Sequence, residues 1–314
     1  MYHQQLRLFD LGEKTIASAS SLSIPPLIVE ILGDRDCALS FSISGGKDSQ
    51  AMLNYSAYLR SLLNLQCEIY AIHADLGRIE WKQTPQFVQH LAQVAKVPLV
   101  VVRRERGDMI DRWQQRRETL FQQGDTTPFW SSASSRYCTK ELKIQPIDKY
   151  LRRHKIVVCA IGLRAEESQS RAKKPVLSLR EDICTDAIKG LPVEEAWSTW
   201  NSKGRSGRFA LNWNAILDWK LPQVWEWCGT SLDEWQRRRQ LPDPEALDGW
   251  TAHPAYVLGR GNERLSCSFC VLASHNDLVN AIPYNRQTFE ILLEMEMESG
   301  WSFQPHRSLR SLKY

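Results

Sequence analysis

Residues 42–53 read SISGGKDSQAML. Just upstream, CALSFSI (Cys37–Ile43) has the composition of a buried strand. Downstream, the stretch from Gln50 to Leu63 sets Met52, Leu53, Leu59, Leu62 and Leu63 at helical spacing. The two glycines therefore fall at a strand-to-helix turn. Gly45 and Gly46 permit positive φ and let a ligand approach the backbone with no Cβ in the way. Several amides converge where the helix begins, and its dipole favours negative charge there. Ser44 and Ser49 add hydroxyls, and Lys47 adds a cation. Such a turn suits a pyrophosphate, although its spacing is neither GxxxxGK[ST] nor GxGxxG.

Working outward, Glu68–Ala74 (EIYAIHA) reads as a second strand, with Asp75, Leu76 and Gly77 at its end. Thr84–Lys96 reads as a helix, Pro98–Val102 as a third strand and Gly107–Gln123 as a charged helix. A Ser/Thr/Pro-rich loop, Gly124–Ser135, leads to a helical stretch from Lys140 to Arg153, interrupted by Pro146, and to a fourth strand, Ile156–Ile161. Strands alternating with helices predict an α/β fold with a doubly wound, mostly parallel sheet. Ligands of such sheets sit at the carboxyl ends of strands, where the glycine turn, Asp75 and Gly162 all fall. From Arg171 to Arg208 the pattern weakens into a long basic loop; Phe209–Trp213 reads as a fifth strand. Beyond Leu221 the chain is helical and loop-like. The expected division is 1–215 for the α/β domain and 216–314 for a mainly helical, cysteine-containing region.

The bulk properties suit such a fold. The 314 residues are 43% hydrophobic and 24% charged, with a net charge of +4, which describes a globular chain and not a disordered one. No stretch has the apolar length of a membrane span. The N-terminal MYHQQLRLFDLGEK lacks a signal-peptide core, so the expected location is cytoplasmic. Basic residues gather between Arg103 and Arg117, in YLRRHK (Tyr150–Lys155) and in WQRRR (Trp235–Arg239). These runs are either a strip for nucleic acid or solvated helix faces. Eight cysteines in a chain of this kind argue for cofactor or catalytic thiols over a disulfide framework. Cys37, Cys67, Cys159 and Cys184 sit in apolar surroundings and read as small buried hydrophobes. Cys138 and the pair Cys267/Cys270 stand apart. A CxxC with His253 upstream and His275 downstream is open to a zinc site with mixed ligands or a redox pair.

Ser44-Gly45-Gly46-Lys47-Asp48-Ser49 resembles the SGGxDS PP-loop of the ATP pyrophosphatase superfamily. Further segments are similar to motifs of its phosphoadenosine-phosphosulfate (PAPS) reductase family. They are HADLGRIEWKQT (His73–Thr84), YCTKELKIQPIDKYL (Tyr137–Leu151), GLRAEESQSR (Gly162–Arg171) and HPAYVLGRGNERLSCSFC (His253–Cys270). The resemblance implies an adenine nucleotide alpha-hydrolase-like, Rossmann-like fold. It also implies attack at the α-phosphorus of ATP, with release of pyrophosphate. It places ATP on Ser44, Gly45, Gly46, Lys47, Asp48, Ser49, His73, Asp75, Gly162 and Arg171. Lys47, Asp48, Lys143 and Arg164 are the catalytic candidates, and Asp48 or Asp75 is expected to meet Mg2+.

Within the family, the combined motifs look most like the branch of DndC and SspD, which belong to DNA phosphorothioation systems. Family members that reduce sulfonucleotides carry a catalytic cysteine near the C-terminus, whereas here the last cysteine is Cys270. The resemblance implies a [4Fe–4S] cluster on Cys138, Cys267 and Cys270, with Cys228 or Cys184 as candidate fourth ligands and zinc as the alternative metal. DNA, a cysteine desulfurase and other modification-system subunits are the implied partners. The rival readings are a PAPS or adenylyl-sulfate reductase, a tRNA thiolase and a nucleotide-binding subunit that no longer hydrolyses ATP.

Overall fold

A computed structural model describes residues 24–63 and 65–312. Its centre is a six-stranded sheet in the order β3-β2-β1-β4-β6-β5. The strands are β1 (Cys37–Ser42), β2 (Glu68–Asp75), β3 (Leu99–Arg103), β4 (Ile156–Ile161), β5 (Leu177–Leu179) and β6 (Phe209–Trp213). The pairings β1–β2, β1–β4 and β4–β6 are parallel, while β5 runs antiparallel to β6 at the edge. The order reverses at β1, so the chain winds away from it in both directions. Central strands explain their own sequences. β1 (CALSFS) and β4 (IVVCAI) are buried along nearly their whole length and read as continuous apolar runs, as parallel strands covered on both faces do.

The sequence reading of the first four strands and of Phe209–Trp213 agrees with these elements to within two residues. The stretch Arg171–Arg208 differs. It is no structureless loop, because it contains β5 and a helix, Val193–Ser202. β5 is only three residues long, too short for a period to show, and that helix is announced by the apolar spacing of Ala196, Trp197 and Trp200, all buried. Pro146 does not break its helix. It lies two residues after a π-turn, Lys140–Ile144, in a helical run continuous from Tyr137 to Leu151, so the change of hydrogen-bond register falls just before the residue that has no N–H to give.

The chain forms two compact units that interleave along the sequence. Of the described residues, one comprises those up to Ile72, Val88–Val100 and Leu151–Glu234; the other comprises His73–Phe87, Val101–Tyr150 and those from Trp235 on. The sequence reading drew a single boundary at 215/216 instead. In the first unit, α1 (Pro26–Leu32), α2 (Lys47–Leu62), the helix Val193–Ser202 (α3) and α4 (Leu221–Trp227) accompany the sheet. Tyr55 of α2 meets Trp219 and Trp227 edge-on at 5.6 and 5.7 Å. Trp197 and Trp200 pack on Phe209 of β6. The second unit has its own core, in which Trp113, Trp130 and Phe303 meet edge-to-face at 5.1–5.9 Å. The tryptophans that crowd the sequence are thus mainly packing residues. No described helix is long and apolar enough to cross a membrane.

Candidate functional site

The turn after β1 has the conformation its sequence predicts. Gly45 has φ +79°, and Gly46 is extended and precedes the sixteen-residue α2. Hydroxyls lock the turn internally. Ser49 Oγ donates to the Gly46 carbonyl at 2.8 Å and accepts from the Ser44 amide at 3.2 Å. The first-turn amides of α2 have no intrahelical acceptor, so the helix presents donors and its positive dipole end beside the glycines. Gly162, just after β4, is required by contact. A Cβ there would stand 2.8 Å from the Asp48 carbonyl group and the Ser49 amide. The Gly162–Arg171 motif therefore meets the Ser44–Ser49 motif through a glycine that lets two backbones touch.

Four charged side chains line up along this turn. Lys47 Nζ lies 3.2 Å from Asp48 Oδ2, Arg164 Nε donates to Asp48 Oδ1, and Arg164 Nη1 donates to Glu166. Lys47 and Arg164 are 6% and 3% exposed. Cations buried this deeply are tolerated only when paired. Two cations against two carboxylates leave the row balanced, so the attraction for an anion comes from the amides and the helix dipole. Arg164 is committed to holding Asp48 and Glu166. Arg171, another predicted nucleotide residue, donates to Glu167. Cys228 is wholly buried beneath the turn and donates from Sγ to the Lys47 carbonyl at 3.3 Å.

The other predicted residues belong to the second unit. His73 Nε2 lies 3.3 Å from Glu80 Oε2, both side chains nearly buried. Asp75 accepts from the Gly77 amide and from Arg103 Nε, at 2.8 and 2.7 Å. Gly77 has φ +71°, and a Cβ on it would stand 2.4 Å from Asp108. Asp108 in turn caps the helix Met109–Gln122 and takes a two-pronged bond from Arg78, at 2.6 and 2.8 Å. Arg78 and this cap were not singled out from sequence. The signal was the aspartate directly before the helix and a second one three residues on.

Cys138, Cys267 and Cys270 share this second unit, the first two against its aromatic core. Burial pushes the Cys267 thiol up to about 12 against the opposing pull of Lys143, and burial likewise raises Cys270. Lys143 sits in the π-turn and is within electrostatic reach of both thiols, so its charge bears on the cysteines. Among the described residues no group of three or more His, Cys, Asp or Glu is gathered closely enough to hold one metal ion. Cys184 and Cys228 lie in the first unit, each donating to a main-chain carbonyl. His253 is no zinc ligand. Its Nδ1 accepts from the Ala255 amide and its Nε2 meets Thr84 Oγ1, both at 3.1 Å, so both ring nitrogens are occupied.

The basic runs are mostly committed. Arg112 pairs with Glu141 at 2.6 Å, Arg117 with Glu298 at 2.7 Å, and Arg104 with Gln115 at 3.0 Å. In WQRRR, Arg238 and Arg239 donate to main-chain carbonyls and stack on Trp250 and Trp235. After Arg171, Arg205 pairs with Asp34 and Arg208 donates to the Arg152 carbonyl. Lys173 and Lys174 differ. Both are exposed and line, with Gln169 and Ser170, an open cleft of about 460 Å³.

Residues 38–232, more than half of the chain, match the family described as the phosphoadenosine phosphosulfate reductase domain. The chain belongs to that family. An uncharacterised protein of Methanocaldococcus jannaschii is 28% identical over 207 residues, 66% of this chain; the match spans 39% of that relative's length. Among solved structures, the PAPS reductase of Candida auris in a phosphate complex is 14% identical, with 72% of this chain and 88% of that one covered and a TM-score of 0.38. A U34-tRNA thiolase from Methanococcus maripaludis with its [4Fe-4S] cluster is 12% identical, covering 96% and 76%, at a TM-score of 0.41. An FMN adenylyltransferase of Candida glabrata, bound to FMN and an ATP analogue, is 14% identical, covering 72% and 60%, at 0.34. In this PAPS reductase family setting, the α/β sheet and its glycine turn are the parts that a PP-loop enzyme needs.

Proposed function

We propose that this chain is an ATP pyrophosphatase that activates a nucleic-acid phosphate for sulfur insertion, as in DNA phosphorothioation of the DndC/SspD kind. The observation that carries the reading is the locked turn Ser44–Ser49, with Lys47 and Arg164 both anchored on Asp48. The turn's amides and the α2 dipole bind the β- and γ-phosphates of MgATP, the ion arriving with its nucleotide. A non-bridging oxygen of the acceptor phosphate attacks the α-phosphorus. The new O–P bond forms as the bond to the β-phosphate oxygen breaks, and pyrophosphate leaves. The acceptor oxygen, a poor leaving group before, now departs as part of AMP when a sulfur nucleophile attacks the acceptor phosphorus. The first step crowds several negative charges together, and Lys47 is the side chain placed to offset them. Arg164 acts through Asp48, fixing its carboxylate against the turn.

The chemistry of the donor set supports an iron–sulfur cluster on Cys138, Cys267 and Cys270, although the three are not gathered around one metal position in this structure: they are three thiols in one unit, two raised by burial and relieved by a neighbouring lysine. Such a cluster, when bound there, supplies a place to carry sulfur or electrons. Lys173 and Lys174 are the exposed cations offered to a phosphate backbone. A cysteine desulfurase and partner subunits of a modification system would deliver the sulfur. A second reading, sulfonucleotide reduction, is favoured by the family match itself.

One assay separates them. Purified protein is given ATP and sulfide, the sulfur nucleophile, with DNA, with tRNA, or with no acceptor, and separately PAPS with a thiol donor. The proposed reading expects pyrophosphate and AMP with DNA. Sulfite release from PAPS without ATP turnover would overturn it in favour of the reductase, and dependence on tRNA would move the acceptor.

A further inference from the structure

Two of the eight cysteines stand together far from the motifs discussed so far. β1 and β2 are parallel neighbours with Ala38 opposite Glu68. One step back along both chains sets Cys37 opposite Cys67, at the ends of the strands away from the glycine turn. Neighbouring strands lie about 4.8 Å apart, inside the roughly 4.4–6.8 Å between Cα atoms that a disulfide spans. The two thiols are near enough for each to shift the titration of the other, and both are free. Cys37 is buried at 2% exposure, whereas Cys67 is half-buried and precedes its strand in a bend.

We propose that Cys37 and Cys67 form a site of reversible oxidation, a disulfide that ties the start of β1 to the start of β2. The two thiols have unequal roles. The Cys37 neighbour lowers the Cys67 thiol, while Cys37 itself is raised by Cys67 and by burial. Cys67 is therefore both the more accessible and the readier thiolate, and it is the entry point. A low-molecular-weight disulfide is the oxidant. The Cys67 thiolate attacks one of its sulfurs, releasing one thiol and leaving a mixed disulfide on Cys67. Cys37 then loses its proton and attacks the Cys67 sulfur, releasing the second thiol. Two protein thiols are oxidised, and one small disulfide is reduced to two thiols. The closed loop encloses α2 and the Ser44–Ser49 turn, so the bond constrains the unfolded segment that must rebuild the nucleotide site. It leaves the folded turn, at the opposite strand end, as it is.

The test uses the full chain incubated with oxidised glutathione, denatured, alkylated and digested with trypsin without reduction. The expected product is a linked pair of peptides, residues 36–47 and 61–78, each with a single cysteine. Its mass is two hydrogens below the sum of the two, and it disappears on reduction. Cys67→Ser, whose folding is checked by circular dichroism, loses the linked species. A variant with Cys138, Cys267 and Cys270 all changed to serine retains it, which separates this site from the proposed cluster ligands. The oxidised wild-type protein melts at a higher temperature than the reduced one, and Cys67→Ser shows no such shift. Full alkylation of both peptides, or glutathione stopping at Cys67 with Cys37 still free, would overturn the proposal.

Discussion

Asp48 lies 3.2 Å from Lys47 and accepts from Arg164, and both cations are almost wholly removed from water. Neutralising it therefore strands two buried charges and unties the turn from the segment after β4. Asp48→Asn keeps the shape, and pyrophosphate release is expected to fall about 100-fold or more, a size typical of lost electrostatic positioning. His253 gives a second test, through pH. Burial holds its imidazole near 3, below its ordinary value of 6.5, because the folded protein has no room for the charged form. Below pH 6.5 the unfolded chain takes up a proton that the folded chain refuses, so this histidine's contribution is lost as pH falls from 6.5 towards 3. The slope reaches about 1.4 kcal/mol per pH unit. In His253→Gln, denaturation curves between pH 4 and 7 should show that part of the slope gone. An unchanged slope would mean that other groups carry it. Both residues stood inside quoted motifs, but the engagement of both His253 nitrogens depends on Thr84, 169 positions away, which no local pattern reveals.

The cap of the helix Met109–Gln122 is where several elements are fastened. Asp108 accepts from the Ile110 and Asp111 amides and from Arg78, and Gly77 passes so close that only a missing Cβ allows it. Asp108→Ala should cost about 1–3 kcal/mol, combining a lost N-cap with a lost charge-assisted pair. Gly77→Ala should cost a comparable amount through its positive φ and the clash, read by chemical denaturation in both cases. A cost below about 0.5 kcal/mol for both would show that this junction is loose. At this scale the parallel strands were legible because buried strands are written as unbroken apolar runs. β5 was not, since three half-buried residues carry no period, and its pairing with β6 is a tertiary matter. The π-turn before Gln145 was equally hidden, for Pro146 read as an interruption where the helix runs on through it after that change of register.

For the molecule as a whole, the sequence motifs divide between two interleaved units: the glycine turn, Gly162 and Arg164 in one, and His73, Asp75 and the three motif cysteines in the other. A boundary drawn along the sequence could not show this, because the chain crosses between the units within β2 and β3. Anaerobically purified protein is expected to hold iron and sulfide, and the triple serine variant of Cys138, Cys267 and Cys270 to lose both while still binding ATP. Zinc alone, in a colourless protein, would contradict the cluster. The arginine-rich run promised a nucleic-acid face, yet its members are largely spent on Glu141, Glu298 and Gln115. Lys173→Glu/Lys174→Glu should therefore weaken DNA binding and its salt dependence more than Arg112→Ala does, measured by fluorescence anisotropy across salt concentrations. The central claim concerns the turn at Ser44–Ser49, and its most direct test follows ATP labelled at the α-phosphorus in the presence of DNA and sulfide, the nucleophile that releases AMP from the adenylated acceptor. The account predicts label in AMP, an equal amount of unlabelled pyrophosphate, and loss of both in Asp48→Asn. ADP and inorganic phosphate as products, or turnover indifferent to Asp48, would contradict it.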